Sequence, residues 1–126
     1  MNNWIKVLLL IGLLLWLVWS RLPVQPEVKA ILGESMGEGY HGMLCIASGI
    51  RNRGTLDGVY GVDNPVVSLA TPELIRQAKR AWRESKYNRV HTGTHWENIE
   101  AFGEPYWAKG MKTVYKHKNH TFYEEK

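Results

Sequence analysis

The sequence predicts an α+β fold in which helices come first and a small antiparallel sheet follows. Three observations lead to this prediction. Apolar residues recur at helical spacing over residues 27–53 and again from residue 71 to about residue 87. Glycine, proline and asparagine separate these segments. Beyond residue 90 the chain becomes rich in Gly, Thr and aromatic residues, and "KTVYKHKNHTFYEE" alternates as a strand pair does.

Composition limits the class of protein. A chain of 126 residues, 44% hydrophobic and 22% charged, has room for one folded domain with a modest core. The net charge is +4, and Lys6 and Arg21 flank the N-terminal apolar run, so only +2 remains for residues 27–126. That charge is too small for a nucleic-acid-binding surface. We therefore expect no nucleic-acid partner, and we expect a monomer.

Residues 1–22 predict a signal anchor that crosses the membrane as one transmembrane helix. Fourteen uncharged residues separate Lys6 from Arg21, and a helix that includes the flanking tryptophans nearly matches the hydrocarbon thickness of about 30 Å. A cleaved signal peptide and a buried helix are the alternatives, but "WLVWSRLP" lacks the small residues of a cleavage site. Residues 23–27 predict a linker because Pro23 and Pro26 block helix continuation. The domain, residues 28–126, is then expected outside the cytoplasmic membrane.

Two predicted helices open the domain. The first covers residues 27–37, with Val28, Ile31 and Leu32 on its inner face and Gly37 at its end. The second runs from about residue 42 to residue 53 and is apolar enough to be buried. It contains the single cysteine, Cys45, which we expect to be a small buried hydrophobic residue.

The rest of the domain follows from local signals. Residues 54–70 predict a loop, since glycines and an Asn-Pro pair interrupt short β-branched runs. Thr71, Pro72 and Glu73 predict a helix start, with an N-cap hydroxyl, proline at N1 and an acid in the first turn. Extended segments and turns are expected next, with a short helix after Pro105 and a C-terminal strand pair.

The stretch "ILGESMGEGYHGM" carries the first candidate chemistry. Glu34 and Glu38 are four apart, so on one continuous helix their side chains would be neighbours and would repel. Glu34 also lies beside the apolar Ile31 and Leu32, where burial favours the protonated acid. A neutral carboxylic acid is what a glycosidic leaving group needs as a proton donor. Two ordinary surface acids at a helix end are the alternative.

Several segments match a known family in order and spacing. "ILGESMGEGYHGMLCIASGIRNRG" resembles the signature of the SleB/CwlJ-type cell wall hydrolases, in which a Gly-Glu-x-x-Gly-Glu run precedes a small apolar helix that ends in Asn-Arg. The similarity resumes at "THWENIEAFGEPYWAKGM" and closes at "KNHTFYEE". It covers residues 28–126 almost completely.

The resemblance implies a lysozyme-like domain that cuts peptidoglycan glycan strands between N-acetylmuramic acid and N-acetylglucosamine. It implies a lytic transglycosylase or a related muramidase, with Glu34 as the one catalytic acid and base and with no cofactor or metal. Glu38 is expected to support the site, and His120 matches the terminal histidine of the family. The substrate-binding residues expected from the similar segments are Glu38, Tyr40, Trp96, Tyr106, His120 and Tyr123.

Two other functions are consistent with the sequence. A zinc peptidase or amidase acting on the wall would use His91, His95, His117 and His120, which have HxxxH and HxxH spacings. However, Thr92 to Thr94 argue against a helix there and no HExxH motif is present. A membrane-anchored glycan-binding protein without activity is the second alternative, and the retained Glu34 argues against it.

Overall fold

The computed structural model describes residues 2–20 and 24–126 of the chain, and over these residues it is a small α+β structure. Five α-helices precede or flank a three-stranded antiparallel sheet. The helices are α1 Asn3–Ser20, α2 Pro26–Ser35, α3 Gly39–Arg53, α4 Pro72–Ser85 and α5 Ile99–Phe102. The strands are β1 His95–Asn98, β2 Met111–His117 and β3 His120–Glu125. Three short 3-10 helices cover Tyr60–Asp63, Pro65–Leu69 and Tyr106–Gly110.

The predicted transmembrane helix over residues 1–22 is wrong. Among the helices of the described residues, none is both long enough and apolar enough to span a bilayer. The helix found there, α1, has 18 residues, and at about 1.5 Å per residue it is shorter than a hydrocarbon core of about 30 Å. The charged Lys6 also lies in its first turn. The predicted flank Arg21 and the predicted linker residue Pro23 lie outside the described residues.

The core forms where α2 packs on α3. Residues 42–50 of α3 are all buried, as their apolar character predicts, and this run includes Cys45. Helix α2 begins at Pro26 as its N1 residue and buries Val28, Ile31 and Leu32. Phe122 of the sheet closes the core from the other side and is fully buried. The core therefore joins the helices to the sheet.

The connection between α2 and α3 corrects one prediction. Helix α2 ends at Ser35, and Gly37 and Gly39 adopt left-handed backbone angles, with φ of +96° and +78°. The backbone therefore turns between Glu34 and Glu38, which do not share a helix. The expectation that these two acids repel each other as helical neighbours is wrong.

Helix α4 starts as its sequence predicts. Thr71 Oγ1 accepts a hydrogen bond of 3.2 Å from the Leu74 amide, and Pro72 occupies the first position of the helix. The helix ends at Ser85, two residues before the predicted Tyr87. The preceding segment, predicted as a loop, contains two 3-10 helices.

The sheet has the strand order β1-β3-β2, so the C-terminal strand is central. β2 and β3 form the predicted strand pair, and β1 pairs with the other edge of β3. Asn52 Nδ2 donates 2.9 Å hydrogen bonds to the carbonyls of His91 and Gly93, and Arg53 donates to that of Thr94. These bonds fasten the segment that enters β1 to the end of α3, which positions β1 beside Glu34.

Candidate active site

Glu34 is the penultimate residue of α2, and two donors from distant parts of the chain bind its carboxyl group. The backbone amide of Gly61 donates to Oε1 at 2.9 Å. The indole Nε1 of Trp96 donates to Oε2 at 3.4 Å. The side chain is half-buried. Because each oxygen has its own donor, the carboxyl group is held in one orientation.

Close backbone packing brings both donors within reach. A Cβ atom on Gly33 would lie 1.9 Å from the Gly61 carbonyl oxygen, and one on Gly61 would lie 2.6 Å from Glu34 Cγ. A Cβ on Gly49 would lie 2.7 Å from the Trp96 ring. Glycine at these positions therefore lets the first 3-10 helix and the Trp96 indole approach Glu34.

Glu34 lies where two cavities meet, and we call them the larger arm and the smaller arm of one cleft. The larger arm has a volume of about 660 Å³ and the smaller arm one of about 320 Å³. Three residues line both arms, namely Glu34, Tyr60 and Glu97, and we call them the neck. A chain-like ligand that occupies both arms would pass Glu34 at the neck.

The two arms differ in chemistry. The larger arm adds polar side chains and one exposed aromatic ring to the neck, namely Asp63, Asn64, Asn98, His120 and Phe102. The smaller arm adds aromatic and basic side chains, namely Trp96, Trp107, His95 and Arg53. His95 and Trp107 lie side by side, with ring centroids 5.6 Å apart. The pKa of His95 is lowered mainly by burial and, to a smaller extent, by the positive charge of Arg53. Sugar rings pack on aromatic faces and bond polar groups at their edges, so both arms suit a glycan.

Glu38 and His120 form a pair behind the larger arm. His120 Nδ1 lies 2.9 Å from Glu38 Oε1, and the side chains are 6% and 16% exposed, respectively. Lys118 Nζ donates to the backbone carbonyl of Glu38 at 2.9 Å. Of this group, only His120 lines the larger arm. The position of Glu38 suits a residue that supports His120.

Four predicted substrate-binding residues lie outside the lining of both arms, namely Glu38, described above, and three tyrosines. Tyr40 points to α4, where its hydroxyl donates to Glu84, and burial together with that bond raises its pKa to about 12. Tyr106 is 88% exposed. Tyr123 is buried against Trp107, with ring centroids 5.4 Å apart, and burial raises its pKa. Trp96 and His120 are the predicted binders that do line the cleft.

The histidines of the zinc alternative lie in separate environments. His91 is buried and its Nε2 lies 2.8 Å from the Cys45 carbonyl oxygen, while His120 pairs with Glu38. Within residues 2–20 and 24–126, no group of three or more His, Cys, Asp or Glu is placed to hold a metal ion. Within the described residues, the four histidines thus do not come together as one set of metal ligands.

Sequence reasoning missed most of the neck and the larger arm. Tyr60 and Gly61 lie in a segment without periodicity, so no pattern pointed to them. Glu97 had one available signal, since it directly follows Trp96 in a segment that resembles the cell wall hydrolase family. Comparisons with protein-family models, curated proteins and solved structures found no match to this chain.

Proposed function

We propose that this protein is a glycosidase of the cell wall, either a lytic transglycosylase or a muramidase, which cleaves peptidoglycan between N-acetylmuramic acid and N-acetylglucosamine. One observation carries the proposal. The half-buried Glu34 carboxyl, held by Gly61 and Trp96, stands at the neck of a two-armed cleft. The family resemblance of residues 28–126 supports the same activity.

The shape of the cleft supports a polymeric substrate. A glycan strand needs binding space on both sides of the bond to be cut, and the two arms provide it on either side of Glu34. Their aromatic and polar linings suit the faces and hydroxyl edges of sugar rings. A small ligand would need only one of the arms.

Glu34 performs the proton transfers in this proposal. Its protonated carboxyl group gives a proton to the glycosidic oxygen as the bond to C1 breaks. The resulting carboxylate then accepts a proton from the group that attacks C1. The donors at Oε1 and Oε2 keep the carboxyl group aimed at the neck through both steps. Peptidoglycan lies outside the cytoplasmic membrane, so the proposal places the protein there.

The test is digestion of purified sacculi by the full chain, with released fragments identified by mass spectrometry. We expect the wild-type protein to release muropeptides. We expect the rate of release by Glu34→Gln to be lower by about 100-fold or more, since proton transfer is lost. Glu73→Gln is the matched control, because Glu73 is an exposed acid on α4 outside the cleft. It should retain wild-type activity.

Two further outcomes separate this proposal from other activities. Addition of EDTA should leave the rate unchanged, whereas a metal-dependent peptidase would stop. The proposal is wrong if Glu34→Gln digests sacculi at the wild-type rate. It is also wrong if the wild-type protein binds sacculi without releasing fragments.

A further inference from the structure

We propose that Glu97 is a second catalytic carboxyl group, which takes a proton from an attacking water, and that this protein therefore hydrolyses the glycan. The inference rests on the proposed function and specifies its product. It departs from the single-carboxyl scheme described above, because Glu97 instead of Glu34 accepts the proton of the attacking group. The placement of Glu97 in the neck and the free oxygen of its carboxylate support it.

Glu97 occupies the neck together with Glu34. The residues that line both arms are Glu34, Tyr60 and Glu97, and two of these three are acids. Asp63, the remaining acid of the cleft, lines only the larger arm. A strand that runs through both arms presents its scissile bond at the neck. Glu97 is thus the second acid at the position where the bond is cut.

Two dipeptides, Tyr60-Gly61 and Trp96-Glu97, contribute to the neck. In each of them one residue donates a hydrogen bond to Glu34. In the first dipeptide Gly61 donates to Glu34 and the preceding Tyr60 lines the neck. In the second, Trp96 donates to Glu34 and the following Glu97 lines the neck. The same short segments therefore supply both donors to Glu34 and the other two residues of the neck.

Strand geometry separates Glu97 from Trp96. Consecutive side chains of a strand leave opposite faces of the sheet. Trp96 pairs with Phe122 across the strands and packs against the core, whereas Glu97 pairs with Thr121 on the other face. The side chains of Glu97 and Trp96 therefore leave β1 on opposite faces, and both residues line the smaller arm.

Among the residues that the structure describes, one carboxylate oxygen of Glu97 has no hydrogen-bond donor and can bind a water molecule. Oε1 accepts a 3.0 Å hydrogen bond from the Asn98 amide, which fixes the group. Over the described parts of the chain, no Lys, Arg or His forms an ion pair with Glu97. Oε2 can therefore accept a hydrogen bond from water in the cleft.

The reaction then balances without a cofactor. Glu34 gives its proton to the glycosidic oxygen, the bond from that oxygen to C1 breaks, and water attacks C1. Glu97 takes one proton from that water, and the remaining hydroxyl becomes the new C1–OH. Solvent afterwards returns a proton to Glu34 and removes one from Glu97. The products carry a free reducing end and a free hydroxyl, unlike the 1,6-anhydro ring that forms when no water enters.

The experiment digests purified sacculi with the full chain in water enriched in ¹⁸O and identifies the fragments by mass spectrometry. We expect wild-type products with free reducing ends that contain ¹⁸O. Glu97→Gln should lower the rate by about 100-fold or more, as loss of a general base does. Glu100→Gln is the matched control, because Glu100 is exposed on α5 only three residues later. It should digest at the wild-type rate.

A second variant separates catalysis from a structural role. Glu97→Ala should recover activity when sodium formate or azide is added, since a small anion can occupy the vacated space and act as the base. The same salts should not raise the activity of Glu34→Gln. Thermal unfolding of each variant verifies that the loss of rate does not come from loss of the fold.

Several results would overturn the inference. It is overturned if the wild-type protein releases anhydro products. It is also overturned if Glu97→Gln digests sacculi at a rate within twofold of wild type, or if formate and azide do not restore the activity of Glu97→Ala. If Glu34→Gln is inactive while Glu97→Gln is active, this inference fails and the proposed function stands. If the wild-type protein releases no fragments, both fail.

Discussion

The backbone amide of Gly61 donates a 2.9 Å hydrogen bond to Glu34 Oε1, although 27 residues separate the two in sequence. The bond depends on the absence of a side chain. A Cβ on Gly61 would lie 2.8 Å from the Ala30 carbonyl oxygen and 3.0 Å from the Glu34 amide nitrogen, and these backbone atoms cannot swing away. The position of the candidate acid is therefore set by a contact between two backbones.

Gly61→Ala should separate the first 3-10 helix from α2. We expect a loss of about 1–3 kcal/mol in the free energy of unfolding, because the added methyl group overpacks the contact. We also expect a fall in sacculus digestion, since Glu34 Oε1 loses its donor. Urea unfolding and the digestion assay measure the two effects. Gly110→Ala is the control, because a Cβ there has no neighbour within 4 Å. Equal stability and activity of both variants would contradict the prediction.

Trp96→Phe should remove the second donor and keep a ring against Gly49 and Phe122. We expect kcat to fall about tenfold, the equivalent of one hydrogen bond of roughly 1.4 kcal/mol. Trp82→Phe is the control, since Trp82, on α4, packs against the guanidinium of Arg51 and lies outside both arms. A Trp96→Phe protein with wild-type kcat would show that the indole N–H has no part in orienting Glu34.

Lys118→Gly should stabilise the hairpin between β2 and β3. Lys118 has a φ of +50°, which a residue with a Cβ adopts at a cost and glycine adopts freely. We expect the free energy of unfolding to change by less than about 1 kcal/mol in the stabilising direction, because loss of the exposed bond to Glu38 partly offsets the relief. Lys116→Gly, within β2, should destabilise instead. Changes of the same sign in both variants would contradict the prediction.

The free energy of unfolding should decrease as the pH falls below about 6.5, the pKa of an unperturbed histidine. Burial lowers the pKa of His91, and burial likewise lowers the pKa values of His95 and His117. Below the unfolded-state pKa the unfolded chain binds more protons than the folded one, so unfolding becomes more favourable. Urea unfolding at pH 7.5, 6.0 and 5.0 measures the slope. His91→Gln should make the free energy of unfolding less dependent on pH. Replacement of the exposed His41 should preserve most of that dependence. An unchanged slope in His91→Gln would assign the effect to other groups.

Local signals were sufficient for much of the secondary structure. The start of α4 at Thr71 and Pro72 and the end of α3 before Gly54 follow from caps and backbone angles that neighbouring residues determine. The burial of α3 follows from its apolar composition. The N-terminal helix was predicted too, but the prediction that residues 1–22 span a membrane was wrong, because no described helix is both long and apolar enough to do so.

The candidate site was predictable only in part. The sequence pointed to Glu34, Trp96 and His120 through a motif resemblance, and all three line the cleft. It also pointed to Tyr40 and Tyr123, which lie elsewhere, because aromatic composition does not show the direction in which a side chain points. Tyr60 and Glu97 reach the neck through tertiary packing and carry no local pattern.

The sequence by itself determined the order of the elements and the acid at the end of α2, because caps, turns and apolar periodicity act over a few residues. The tertiary structure alone decided what surrounds that acid. Gly61 and Trp96 lie 27 and 62 residues from Glu34. Their approach depends on glycine contacts and on the pairing of β1 with β3, and chain segments make such contacts only after they fold together.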